Sequence, residues 1–125
     1  MSRRTILLFA LVAFVALALA ACGGGASSGG AATPPLNVTV TATEFKYDPA
    51  TINATPGQTI NLTLKNIGSV QHTWVFATAN VKMIVDPGKS ATQTFTAPAA
   101  AGTYTYECDI AGHKEAGMVG QLIVK

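Results

Sequence analysis

The chain has 125 residues, of which 49% are hydrophobic and 11% charged, with 2 cysteines and a formal net charge of +2. That length fits one domain, that apolar share excludes disorder throughout, and so few cysteines exclude a disulfide-rich scaffold. Arg3 and Arg4 carry the excess charge; beyond residue 21 the lysines and acidic residues balance, which leaves no basic footprint for nucleic acid.

Residues 1–21 read as a secretory signal. Ser2-Arg3-Arg4 is a basic start, Ile6 to Ala18 is an almost unbroken apolar stretch, and small residues follow. The end, Leu19-Ala20-Ala21-Cys22, resembles the lipobox of bacterial lipoproteins, which implies that Cys22 is lipidated and becomes the new N-terminus. An uncleaved transmembrane helix and an ordinary cleaved signal are the alternatives. Thr5 to Ala21 offers 17 residues, at the lower end of the roughly 17–25 a spanning helix needs. Residues 22–35 then form a tether: the lipidated cysteine and a Gly/Ser/Ala/Pro linker with nothing to bury. Random-coil scaling gives such a leash a reach of about 20 Å. With Cys22 occupied by lipid, Cys108 has no partner in the chain, and an unpaired thiol in an oxidising compartment points to a function.

The domain over residues 36–125 reads as all-β. Polar and apolar residues alternate in Asn37–Thr41, Thr59–Leu64, Thr92–Thr96, Thr103–Tyr106 and Gln121–Val124, and the runs are rich in Thr, Val, Ile and aromatics. Turn signals separate them at Asp48-Pro49, Pro56-Gly57, Asn66 to Gly68, Asp86-Pro87-Gly88 and Gly102. Short strands at this spacing predict a sandwich or barrel of about seven strands. Trp74, Phe76, Phe45, Tyr47, Phe95, Tyr104 and Tyr106 read as packing residues of its core or rim.

The chemistry is concentrated near the C-terminus. Cys108, His113 and Met118 follow a C-x4-H-x4-M pattern, and His72, the other histidine, lies 36 residues before Cys108. Any one of these alone reads as a buried hydrophobe, a gap filler or a satisfied polar group. Together they take up both histidines and the sole internal cysteine. Two imidazoles and a thiolate with a weak axial thioether describe a blue-copper site, in which soft sulfur suits Cu(I) and imidazole accepts Cu(II). Zinc is the alternative, although a structural zinc site prefers another Cys or His to a thioether.

Gly102-Thr103-Tyr104-Thr105-Tyr106-Glu107-Cys108 through Gly117-Met118-Val119-Gly120 resembles the C-terminal copper loop of the cupredoxins, the plastocyanin and azurin superfamily. Its last part is close to plastocyanins, while the ligand spacing is similar to that of auracyanins, membrane-attached blue copper proteins. Thr55-Pro56-Gly57-Gln58-Thr59 and Asn66-Ile67-Gly68-Ser69-Val70-Gln71-His72 resemble the segments that lead to the family's first histidine ligand. The resemblance implies a Greek-key β-sandwich with one type 1 copper, held by His72, Cys108 and His113 in the plane and Met118 on the axis. It also implies that Gly117 and Gly120 let the loop turn tightly, and that His113 exposes its edge to partners within a rim of Ile110, Ala111, Gly112 and Ala116. Two positions depart from the family: Thr73 stands where an asparagine braces the cysteine loop, and Glu107 where plastocyanins carry a tyrosine beside a second docking site.

These readings combine into an extracytoplasmic copper protein, lipid-anchored through Cys22 to the periplasmic or outer side of a bacterial membrane. It is expected to be a monomer and no enzyme, passing single electrons between redox proteins such as cytochromes or oxidases that dock near His113. A copper carrier or storage protein is the alternative, and a copper-free adhesion module would leave Cys108 unexplained.

Overall fold

A computed structural model describes residues 32–125. The expected signal, Cys22 and the expected linker up to residue 31 lie outside these residues, and residues 32–35 are exposed and without regular structure. Nine strands follow: β1 (Leu36–Thr43), β2 (Lys46–Asp48), β3 (Thr51–Ala54), β4 (Thr59–Asn66), β5 (His72–Phe76), β6 (Val81–Val85), β7 (Ser90–Thr96), β8 (Gly102–Glu107) and β9 (Val119–Val124). Among the described residues the only helical turn is a 3₁₀ turn over Ala77–Ala79.

The strands form a Greek-key sandwich of two sheets, ordered β2-β1-β4-β7 and β3-β9-β8-β5-β6. β1 runs parallel to β4 with Leu36 opposite Ile60, and β3 parallel to β9 with Thr51 opposite Gln121; the other pairs are antiparallel. Period-two alternation puts Ile60, Leu62 and Leu64 of β4 inside, against Trp74 and Phe76 of β5 and Leu122 and Val124 of β9, all fully or nearly fully buried. Trp74 ties the layers together, with its ring centroid 4.9 Å from Tyr106 of β8 and 5.6 Å from Phe95 of β7. Burying such side chains stabilises by roughly 1.5–3 kcal/mol each.

The count of nine corrects the expected seven or so. β2 and β3 have 3 and 4 residues, too short to display a period. β5 shows no alternation because His72, Thr73 and Trp74 are buried in succession: the sandwich covers one face and the loops of its end cover the other. In β6 the alternation is masked by Ile84, an apolar residue that is 57% exposed.

Candidate metal centre

The site is built at one end of the sandwich from two loops. Cys108 follows the last residue of β8, and a chain of hydrogen-bonded turns runs from it to β9. His113 N–H donates to the Ile110 carbonyl at 3.0 Å, Gly117 N–H to Lys114 at 2.9 Å, and Met118 N–H to His113 at 3.0 Å. Cys108 N–H closes the loop on the Met118 carbonyl at 3.1 Å. The backbones of Cys108, His113 and Met118 are therefore bonded to one another. Gly112 and Gly117 make this possible with φ of 85° and 103°, a region that other residues rarely adopt. Gly120 serves differently from expectation: a Cβ there would overlap the Tyr106 ring, so this glycine makes room for an aromatic of the core.

His72 opens β5, opposite Val85, and the loop that delivers it is pinned from three sides. Asn66, fully buried at the end of β4, donates from Nδ2 to the carbonyls of Val70 and Val85 at 2.8 and 2.9 Å. Its Oδ1 accepts the Gly68 N–H at 2.9 Å. Glu44, between β1 and β2, accepts the Ser69 N–H, the Ser69 hydroxyl at 2.9 Å and the Val70 N–H at 3.3 Å. Gln71 donates to Asp86 at 2.8 Å. Glycine at 68 lets the Glu44 carboxylate come this close: a Cβ there would stand 2.6 Å from it, and the Glu44 side chain would have to shift from its bonds to Ser69 and Val70. The pinning roles of Asn66 and Glu44 were missed by sequence reasoning, which saw Asn66 only as a turn residue at the start of the segment leading to His72.

The ligand atoms of His72, Cys108 and His113 all lie within 4.8 Å of one another, close enough for one ion to bridge. Cys108 Sγ is 3.4 Å from His113 Nδ1, and the two imidazoles meet edge to face with centroids 5.2 Å apart. His72, Cys108 and Met118 are fully buried. Burial, and then the neighbouring His113, lower the pKa of His72, which keeps it in the neutral form that a metal needs. Neither ring nitrogen of His72 has a hydrogen-bond partner although both are buried. An unsatisfied buried group costs about 1–3 kcal/mol, and a metal bound at one of these nitrogens would offset part of that cost. The nearby carboxylates are engaged elsewhere, Asp109 with Lys82 and Glu107 with Lys114, each at 2.6 Å. Two imidazoles and a thiolate, with a thioether in the same loop and no carboxylate, fit a single copper ion.

The surroundings hold the sulfur in place. Thr73 N–H donates to Cys108 Sγ at 3.4 Å, and the Thr73 hydroxyl lies 2.7 Å from Asp109 Oδ1 while accepting the Asp109 N–H at 3.0 Å. Thr73 thus braces the cysteine loop as an asparagine would. Lys82, and then Thr73, hold the Asp109 carboxyl below its ordinary pKa. Tyr47 donates its hydroxyl to the Thr73 carbonyl from beneath the site.

The exposure expected of His113 needs correction. This residue is only 9% exposed, because the Phe45 ring stands edge-on to it at 4.9 Å, and Phe45 is itself 41% exposed. The rim residues Ala111, Gly112 and Ala116 are exposed and Ile110 is half-buried. Phe45, read from sequence as packing, covers the metal centre.

Glu44 gives the loop a measurable acid dependence. Hydrogen bonds from Ser69 lower its pKa from 4.5 to about 2. The unfolded chain therefore binds the proton first, so this contribution to stability is complete above pH 4.5 and is lost as the pH falls towards 2. Thermal melts of the metal-free chain will show this loss, and Glu44→Gln will flatten the profile across that window. An unchanged profile would remove the clamp.

Comparison with known proteins follows the same lines. The family model of the cupredoxin-like domain matches residues 7–124. The copper-resistant cuproprotein CopI of Rubrivivax gelatinosus is 30% identical over 99 residues, which make up 64% of this chain; the chain spans 60% of that relative's length. Among solved structures, dithionite-reduced auracyanin from the photosynthetic bacterium Roseiflexus castenholzii superposes with a TM-score of 0.65 at 27% identity, over 74% of this chain and 99% of that one. Auracyanin A, a "blue" copper protein of Chloroflexus aurantiacus, gives 0.63 at 25% identity, over 73% of this chain and 99% of that one.

Proposed function

Because the chain belongs to the family of cupredoxin-like domains, we propose that it is a mononuclear copper protein that carries single electrons between redox partners outside the cytoplasm. The observation that carries this reading is the closed, buried cluster of His72, Cys108 and His113. His72, Cys108 and His113 would hold the copper, with Met118 as a further donor from the loop of Cys108 and His113. Copper held there supplies a one-electron couple. The residues do the rest: the interlocked loop backbone keeps the donors in one arrangement for both oxidation states, which lowers the reorganisation that each transfer requires. Buried Met118 and His72 exclude water, and the Phe45 edge excludes it above His113. Docking falls on the exposed side chains of Phe45 and Val70 and on the Ala111-Gly112 turn, a small apolar surface that favours weak, short-lived encounters. Cytochromes and oxidases are partners of suitable chemistry, and a lipid on Cys22 would keep the monomer at the membrane beside them. No second copper site is available in this reading, so it assigns no enzymatic activity.

The likeness to a copper-resistant cuproprotein favours a second reading, copper handling. A handling site presents several Met and His in exchangeable loops, whereas Met83 is buried in the core opposite Trp74. Metal retention separates the two. An electron carrier will keep its copper through repeated reduction and reoxidation in the presence of a Cu(I) chelator. Loss of the metal within the first reduction would establish handling in its place.

A further inference from the structure

The Thr73 hydroxyl stands between two acceptors, 3.4 Å from Cys108 Sγ and 2.7 Å from Asp109 Oδ1. It has one proton to give. A short bond to an ionised oxygen is far stronger than a long one to sulfur, so the proton goes to Asp109. Lys82 Nζ, 2.6 Å from the other carboxylate oxygen, keeps Asp109 turned towards Thr73. Of the two Thr73 groups within reach of the Cys108 sulfur, only the N–H is then left to donate to it. Resting on the copper reading, we infer that Asp109 is a positioning residue that diverts the Thr73 hydroxyl from the ligand sulfur and thereby holds the reduction potential down. The reason is electrostatic: a hydrogen bond to the thiolate withdraws charge from it, weakens its donation to the metal and favours the reduced ion.

The Lys82–Asp109 pair is an implausible stabiliser of the fold, since its side chains are 52% and 37% exposed and such pairs contribute little. Its consequence points inwards, to the sulfur. The arrangement is specific to these residues. Thr73 and Ile84 face each other across β5 and β6, and Asp109 continues the line of β8 past Glu107, which pairs with Val75.

The test uses the full-length chain loaded with copper and compares wild type, Asp109→Ala, Thr73→Val and the double variant. The readouts are the energy of the sulfur-to-copper absorption band and the reduction potential. Asp109→Ala will move the band to higher energy and raise the potential, because the freed hydroxyl turns to the sulfur. Thr73→Val will leave the band in place, because the hydroxyl was already diverted. In the double variant the band will return to its wild-type energy. A band shift in Asp109→Ala that persists in the double variant would assign the effect to lost charge and overturn the proposal. So would a shift in Thr73→Val alone, or none in Asp109→Ala. A wild-type chain that binds copper without this band would overturn the copper reading itself, and this inference with it, which keeps the two failures distinct.

Discussion

Cys108→Ser abolishes the intense visible absorption that the wild-type chain acquires on adding Cu(II), and it does so without unfolding the sandwich. The band requires a thiolate sulfur bound to the metal; a serine hydroxyl is a hard, protonated donor that supplies neither the electron-rich sulfur nor its bond to copper. Affinity falls as well. Losing a residue that merely orients a ligand costs 10–100-fold, so losing the thiolate itself costs more than about 100-fold. Stability responds far less, by about 1 kcal/mol in the metal-free chain. The loop is closed by the Cys108 N–H on the Met118 carbonyl, which the substitution leaves untouched, and the new hydroxyl can accept the Thr73 N–H. Titration with Cu(II) followed by absorption, together with chemical denaturation of both metal-free proteins, checks the two halves of this result. A wild-type chain that stays colourless while binding copper as tightly as the serine variant would end the electron-carrier reading.

What could be read from sequence follows from which physical signals are local. Alternation exposed β1, β4, β7, β8 and β9, since each packs one face and solvates the other. It could not expose β5, whose first three residues are all buried, nor strands as short as β2 and β3. The candidate quartet could be picked out because soft and imidazole donors at loop spacing are chemically unusual, and Cys108 is a free thiol among the described residues. The residues that position those ligands could not. Glu44 lies 25 residues from Ser69 and Thr73 lies 36 from Asp109, so their roles exist only once the strands have paired. Phe45 carries no sequence mark that separates a cover over His113 from a core aromatic. Gly120 suggested a turn, but its reason is the Tyr106 ring on the neighbouring strand.

Asn66→Ala is expected to destabilise the domain strongly through polar groups alone while sparing the ligands. Asn66 is wholly buried, and its amide is used from both ends: Nδ2 reaches two carbonyls and Oδ1 one N–H. Alanine keeps the backbone bonds of the position, to Lys89 and Gly88, but strands the Val70 and Val85 carbonyls and the Gly68 N–H. Only the bond to Val85 is fully buried, while those to Val70 and Gly68 are part-buried and open to water; with about 1–3 kcal/mol for a buried group left unpaired, the loss is about 2–3 kcal/mol. For a domain of this size that is a large fraction of the whole. Asn66→Asp is no milder at neutral pH, since it keeps the acceptor but sets a negative charge against two carbonyls. The effect extends to function because Val70 and Gly68 belong to the loop that delivers His72, while Val85 is its partner in the sheet. Copper bound to the alanine variant will therefore show a broadened absorption band, as His72 samples more than one position. Denaturation of the metal-free chain measures the first effect and the spectrum of the loaded chain the second. A loss below about 1 kcal/mol would mean that water replaces the amide at no cost, and the loop would then owe its position to Glu44 and Gln71 instead.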